Sequence, residues 1–376
     1  MKKLLRSCTV SMSIEFVSGM LDDLTKRYNV VIVSSAGQEL DKVGQRGDVK
    51  TIAVEMQRHI SLIKDLRSLW QMIKVIRKER PYIVHSITPK AGLLTMMAAW
   101  ICRVPVRIHT FTGLVFPTSS GLKRRILMLT DWLTCACATH IQPEGEGVKA
   151  DLLNNGITRK PLRVLGYGNV KGIDTLRFSR RPEIMEKAKA IRKDDVFTFL
   201  FVGRIVGDKG INELVNAFVG LHADNPKTRL LLVGFFEEKL DPVSKDTKRM
   251  INECEAIEYA GEHYGDELIA YYAAADCFVF PSYREGFPNT VIEAGAMGLP
   301  CIVTDINGSR EIISNEKNGL IIPSHDSKSL QQAMKRIIED CQLYRSLQDN
   351  SREMIVSRFS QDFVRQCLYE FYDEIA

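Results

Sequence analysis

The sequence predicts an α/β protein of two domains, and three observations carry that prediction. Aliphatic runs such as Asn29–Ser34, Val196–Val202 and Arg229–Val233 alternate with helical patterns along the chain, as parallel strands joined by crossover helices require. A length of 376 residues, 45% of them hydrophobic, is enough for two sizeable cores. A glycine-rich, partly polar stretch from Arg163 to Phe178 then separates two parts of opposite charge. Residues 1–168 hold 25 Lys/Arg against 13 Asp/Glu, and residues 169–376 hold 26 against 33.

Composition also excludes several classes. The nine cysteines are scattered, several within apolar runs, and Cys135 and Cys137 are too close for zinc-ligand spacing, so a reducing cytoplasm is expected. The apolar stretch after Met1 is too short for a signal peptide, and no uncharged apolar run reaches spanning length. The basic first part suits anionic lipid, a pyrophosphate-bearing substrate or nucleic acid. Nucleic acid is not expected as a partner, because no basic run interleaved with aromatics, zinc-finger spacing or RNP-like strand is present.

Taken in order, Leu4–Val10 is a first strand, the polar loop Thr9-Val10-Ser11-Met12-Ser13 follows, and Ile14–Lys26 is a helix. Asn29–Ser34 and Val49–Val54 are the next strands. A long helix is predicted between His59 and Arg80. Its apolar positions Ile60, Ile63, Leu66, Leu69 or Trp70, Ile73 and Ile76 are expected to pack on the sheet, leaving Lys64, Arg67, Lys74, Arg77 and Lys78 as a basic face open to solvent or anionic lipid. Strands Tyr82–Ser86 and Val104–Thr110 place His85 and His109 at carboxyl ends, where doubly wound sheets hold ligands; a histidine there is either a hydrogen-bond donor to a ligand or a structural residue. The helix between them starts near Thr88 and Lys90. Phe116-Pro117 then reads as exposed beside Leu122-Lys-Arg-Arg125, which suits a lipid-phosphate interface and an ordinary surface helix equally.

In the second part, the strand Val196–Val202 runs into Gly203-Arg204-Ile-Val-Gly207-Asp208-Lys209-Gly210 and a helix. Arg204 and Lys209 are placed to reach phosphate oxygens, although a Walker ending is missing. Arg229–Val233 ends in Gly234, which permits close approach by a base or ribose. After a strand at Ile257–Gly261 and a helix at Asp266–Ala274 comes the window on which the functional reading turns. An apolar strand leads to Glu285-Gly-Phe287-Pro288-Asn289-Thr290, and a helix predicted over Thr290–Met297 carries Glu293. Thr290 and Glu293 also fit a capping box, so this spacing by itself allows a purely structural role. Helices at Leu330–Leu347 and Gln361–Ile375 close the chain.

Glu285 and Glu293 with Gly-Phe-Pro-Asn between them, the segment Gly203-Arg204…Lys209-Gly210, and Gly172, Asp174 and Phe178 at the boundary together resemble the retaining nucleotide-sugar glycosyltransferases of family 4. The resemblance covers essentially the whole second domain and, more loosely, the first. It implies the GT-B fold, two Rossmann-like domains facing across a cleft: residues 1–168 for the acceptor, 169–358 for the donor, and a helix at 359–376 crossing back to the first. It implies Glu285 against the donor sugar, Glu293 on the ribose, Arg204 and Lys209 on the diphosphate, and His109 facing the transferred sugar. Gly203 and Gly234 then lie at the nucleotide, amides around Phe287, Pro288 and Asn289 meet sugar hydroxyls, and Thr290 completes the donor loop. Gly261–Tyr264 is the counterpart of the family's base-contacting segment, and His85 and Lys90 belong to the acceptor side. The family's paired glycines after the first strand are replaced here by Thr9–Ser13.

The implied donor is a UDP-hexose or UDP-N-acetylhexosamine, with GDP-sugars as the alternative, and no metal or tightly bound cofactor is needed. The implied acceptor is a polyprenyl-diphosphate-linked saccharide in capsule, O-antigen or related assembly, with the enzyme peripheral on the anionic cytoplasmic face of the membrane. A non-hydrolysing nucleotide-sugar epimerase and an inert sugar-nucleotide-binding scaffold are the rival readings.

Overall fold

The computed structural model describes residues 1–57, 61–238 and 241–375. The chain forms two units, Met1–Gly172 with Asp362–Ala376, and Ile173–Gln361.

The first unit is built on a parallel six-stranded sheet of β1 (Lys3–Ser7), β2 (Asn29–Ser34), β3 (Lys50–Ala53), β4 (Ile83–Ile87), β5 (Val106–Phe111) and β6 (His140–Pro143), in the order β3-β2-β1-β4-β5-β6. Alternation along each strand sends side chains to both faces, and both are covered, which is why these strands are apolar almost throughout. Leu5, Val31, Val33 and Val84 meet the helices Leu62–Glu79, Pro89–Ile101 and Gly121–Cys137, which lie side by side on one face. Leu4, Val30, Ile32 and Ile83 meet Leu21, Leu24 and, from the last helix Gln361–Ile375, Leu368 and Tyr372.

That last helix is tied into the sheet by a buried polar chain. Arg6 Nη1 donates to Tyr372 Oη at 2.7 Å, and the same oxygen lies 2.7 Å from His85 Nδ1. His85 Nε2 is 2.7 Å from Thr110 Oγ1, which donates to Gln142 Oε1 at 3.0 Å, so β1, β4, β5 and β6 are all linked. Burial makes each of these bonds costly to lose.

Several sequence expectations need correcting. The first strand stops at Ser7, and the helix expected over Ile14–Lys26 is interrupted at Gly19, giving Glu15–Ser18 and Leu21–Arg27. The helix expected from His59 begins at Leu62; His59 and Ile60 lie outside the described residues. The expected stripe holds in its second half, where Ile76 is buried and Leu69 and Ile73 pack on the core, and fails in its first half. Ser68, Met72 and Ile76 face inward, whereas Ile63 is 85% and Leu66 66% exposed. Polar residues take the inward positions of the first turns: Asp65 pairs with Lys90 at 2.5 Å, and Ser68 donates to the Glu55 carbonyl at 2.5 Å. Phe116, expected at the surface, is fully buried in the core under these helices, and of the pair only Pro117 is exposed.

The second unit repeats the architecture with β7 (Phe197–Val202), β8 (Thr228–Val233), β9 (Ile257–Gly261), β10 (Cys277–Phe280), β11 (Cys301–Thr304) and β12 (Gly319–Ile322), ordered β12-β11-β10-β7-β8-β9 and all parallel. In each sheet the first and fourth strands are neighbours and the order reverses there. Loops leaving the carboxyl ends of β1 and β4, and of β7 and β10, therefore diverge and open a crevice.

Candidate active site

In the second unit the reversal between β7 and β10 brings two sequence-distant loops together. The turn Gly207–Gly210 follows β7, and the Glu285 loop follows β10. Tyr283 N–H donates to the Asp208 carbonyl at 2.9 Å. Gly210, at φ 70°, lets the backbones close up, because a β-carbon there would lie 2.1 Å from the Pro281 carbonyl oxygen. Lys209 consequently reaches Glu285 in a short ion pair, with both side chains only 15% exposed. Ser282 Oγ donates to the same Glu285 oxygen at 2.7 Å, and the Lys209 ammonium sits 5.5 Å from the centre of the Phe280 ring. Charge-assisted bonds at this degree of burial fix the carboxylate in place.

Glu293 lies in the helix Asn289–Ala296, whose N-cap is Pro288. Pro288 has no side-chain acceptor, so the Thr290–Glu293 capping box does not form, and Glu293 falls in the second helical turn. Its Oε2 accepts from the Tyr272 hydroxyl at 2.9 Å. Phe287 is buried edge-on to Phe359, with ring centres 5.5 Å apart, while Asn289 and Thr290 are half-buried at the start of the helix. A short helix beginning at the carboxyl end of a strand and lacking a side-chain cap is a favourable place for an anionic or hydroxyl-rich ligand.

Arg204 is placed apart from the Lys209–Glu285 pair. It is 40% exposed on the side chain and pairs with Glu237 at 3.4 Å. Gly203 and Gly234 end adjacent strands, and the neighbour that Gly234 admits is the Gly203 carbonyl oxygen, 1.8 Å from where a β-carbon would stand. Among the described residues, two buried polar atoms near these loops, Asp208 Oδ1 and Ser309 Oγ, have no hydrogen-bond partner. Also among the described residues, no group of three or more His, Cys, Asp or Glu is arranged to hold a metal ion.

In the first unit, His109 and Ser86 are register neighbours on β5 and β4, and His109 Nδ1 lies 2.8 Å from Ser86 Oγ. Burial pushes the His109 pKa down to about 3, so the imidazole is neutral at physiological pH, and burial lowers that of His85 as well. His85 is enclosed by the Tyr372 network and Lys90 is paired with Asp65, so both have structural partners. The polar loop after β1 is used internally too. Thr9 Oγ1 lies 2.7 Å from Thr88 Oγ1 and accepts from the Ala91 N–H at 3.1 Å, while Ser11 Oγ accepts from the Leu40 N–H at 2.9 Å. The Thr9 and Ser11 hydroxyls are thus engaged by neighbouring segments of the same unit.

Sequence reasoning did not assign Tyr272, Ser282 or Tyr283, although all stand in or just before the quoted window. Their signal is a hydroxyl spaced to meet an acid only after folding: Tyr272 with Glu293, Ser282 with Glu285, and Tyr283 with Glu213.

The two parallel six-stranded sheets, each reversing between its first and fourth strands, define a fold of the GT-B type, and comparison with known proteins agrees. The family description "Glycosyl transferases group 1" matches residues 183–354, and "Glycosyl transferase 4-like domain" matches residues 16–168. The capsular polysaccharide biosynthesis glycosyltransferase CapM of Staphylococcus aureus is 33% identical over 99% of this chain and 97% of its own length. The UDP-Gal:alpha-D-GlcNAc-diphosphoundecaprenol alpha-1,3-galactosyltransferase of Escherichia coli is 28% identical over 81% of this chain and 78% of its own. In fold, Anabaena HepE in complex with UDP superposes with a TM-score of 0.81 over 100% of both chains at 17% identity. The chain belongs to the group 1 glycosyltransferases, family 4, and is a glycosyltransferase. Membership in a transferase family leaves no observation favouring the epimerase or scaffold readings.

Proposed function

We propose that the protein transfers a hexose or N-acetylhexosamine, with retention of anomeric configuration, from a UDP-sugar to a polyprenyl-diphosphate-linked saccharide in surface-glycan assembly at the cytoplasmic face of the membrane. The observation that carries the reading is the Lys209–Glu285 pair at the reversal between β7 and β10, held by Ser282. A diphosphate arriving there competes for the Lys209 ammonium and leaves Glu285 facing the sugar. Arg204, whose partner Glu237 is 3.4 Å away, turns its fork to the same phosphates. As the anomeric C–O bond to the diphosphate breaks, negative charge grows on the leaving oxygen, and the two cations lower that barrier. The acceptor hydroxyl attacks from the same face, its oxygen bonds to the anomeric carbon, and its proton passes to the departing diphosphate. Glu285 positions the sugar and stabilises positive charge on the ring; Glu293 holds the ribose, and neutral His109 donates a hydrogen bond to the transferred sugar. Relatives named for capsule assembly and for a diphosphoundecaprenol acceptor support the choice of substrate class.

The test is a panel of UDP- and GDP-sugars with a short synthetic polyprenyl-diphosphate-sugar, with product configuration read by NMR. One donor is expected to transfer with retention, and Lys209→Ala and Glu285→Ala are each expected to lower kcat/KM at least about tenfold. Wild-type rates in both folded variants, or an inverted product, would sink the proposal.

A further inference from the structure

Tyr283 brings together three segments that follow the carboxyl ends of strands in the second sheet. It stands two residues before Glu285 in the loop after β10, and its hydroxyl donates to Glu213 in a short bond. Glu213 lies in the first turn of the helix Ile211–Asp224, which starts directly after the Lys209–Gly210 turn that follows β7. From the loop after β12, His325 stacks on the Tyr283 ring with ring centres 3.6 Å apart. His325 has φ 59°, in the left-handed region, and Asp326 beside it caps the next helix by accepting from the Ser329 N–H at 2.9 Å. A non-glycine residue held at such a φ is strained, and the strain persists only where contacts on several sides fix it.

The arm after β7 and the arm after β10 are thus joined twice, by bonds of different kinds. One join is the Lys209–Glu285 ion pair, which a diphosphate competing for the ammonium would open. The other is Tyr283, whose N–H donates to the Asp208 carbonyl at 2.9 Å and whose hydroxyl holds Glu213. That second join uses no group assigned to the donor. Burial, reinforced by the bond to Glu213 and by the charges of Asp241 and Asp208, holds the Tyr283 pKa above its ordinary value, so the hydroxyl stays protonated and goes on donating. Ser282, the preceding residue, donates to Glu285 at 2.7 Å, so a shift of Tyr283 passes directly to the carboxylate.

We propose that Tyr283 is a positioning residue for sugar transfer: through Glu213 and Asp208 it keeps the Glu285 arm aligned with the Lys209 arm once the diphosphate has opened the ion pair between them. This role rests on the reading above in which Lys209 meets the diphosphate and Glu285 faces the sugar. Arg204 and Lys209 both belong to the arm after β7, so loss of the tether leaves the grip on the nucleotide intact and misplaces Glu285 alone.

The full chain is compared with Tyr283→Phe, which keeps the ring and its stack and removes only the hydroxyl, with Glu213→Ala, and with the two combined, all with unchanged circular dichroism. UDP affinity is read by titration calorimetry, hydrogen exchange over residues 282–287 by mass spectrometry with UDP bound, and kcat with the donor and acceptor found by the panel. In Tyr283→Phe the exchange is expected to quicken about tenfold and kcat to fall at least about threefold, while UDP Kd stays within about twofold of wild type. The double variant is expected to lose no more than the worse single one, because the two changes remove one bond. Unchanged exchange, wild-type kcat in Tyr283→Phe, additive losses in the double variant, or a UDP Kd weakened as much as kcat would each overturn the proposal. Glu285→Ala is measured alongside: its impairment beside a wild-type Tyr283→Phe means that the tether fails and the transfer centre stands, whereas wild-type kcat in Glu285→Ala means that the centre itself fails.

Discussion

Gly92 and His109 share one space: a β-carbon on Gly92 would lie 2.3 Å from Cε1 of the His109 ring. The imidazole rests against bare helix backbone, its Nδ1 bonded to Ser86. In an ordinary helix interior Gly→Ala stabilises by about 1 kcal/mol. Here the sign is expected to reverse, so Gly92→Ala lowers stability in urea unfolding, while the same change in a His109→Ala background raises it. A Gly92→Ala gain in the wild-type background would show that the ring is not confined there.

Tyr272 is fully buried, with its hydroxyl on Glu293. Tyr272→Phe leaves that carboxylate one bond short without changing shape, a loss of about 1–2 kcal/mol. If Glu293 holds ribose, donor KM is expected to rise about threefold to tenfold with kcat nearly unchanged. Initial rates at varied donor decide it; a fall in kcat at constant KM would move Glu293 into the chemical step.

Buried His85 and His109 have folded pKa values below the ordinary 6.5, about 3 for His109. The unfolded chain binds protons at both below about pH 6.5 and the folded chain does not, so stability present at neutral pH declines as pH falls from 6.5, by about 1.4 kcal/mol per unit for each group. Denaturant titrations between pH 7 and roughly 5 are expected to show the decline, and His109→Gln to reduce its slope. A pH-independent midpoint would contradict it.

Asp131 has the opposite sign. Its folded pKa, raised to about 7 from 3.8, means the folded state holds a proton that the unfolded chain releases, so its contribution is lost as pH rises through 4 to 7. Asp131→Asn is expected to stabilise by up to about 4 kcal/mol at pH 8 and by nothing near pH 4, read by the same unfolding assay. Equal effects at both pH values would point to packing instead of charge.

The two sheets are legible in the sequence because parallel strands covered on both faces must be continuous apolar runs, as Phe197–Val202 and Arg229–Val233 are. Lys209 and Glu285 are separately visible in their loops, but their pairing depends on β10 returning beside β7, a property of topology and not of spacing. The helix Leu62–Glu79 misleads because Asp65 and Ser68 find partners inside, leaving Ile63 and Leu66 outside, and a hydrophobicity pattern cannot register a satisfied polar group. Phe116 misleads for a related reason: beside a proline and a polar loop, nothing local reveals the core beneath it.

The helix Gln361–Ile375 completes the first sheet, yet it is synthesised only after the whole of the second unit. During synthesis, residues 173–361 can therefore reach their native core while the first unit still shows Leu4, Val30, Ile32 and Ile83 uncovered and Arg6 and His85 without Tyr372. The first unit can be completed only once this C-terminal helix has been made, so in the order of synthesis its native core closes last.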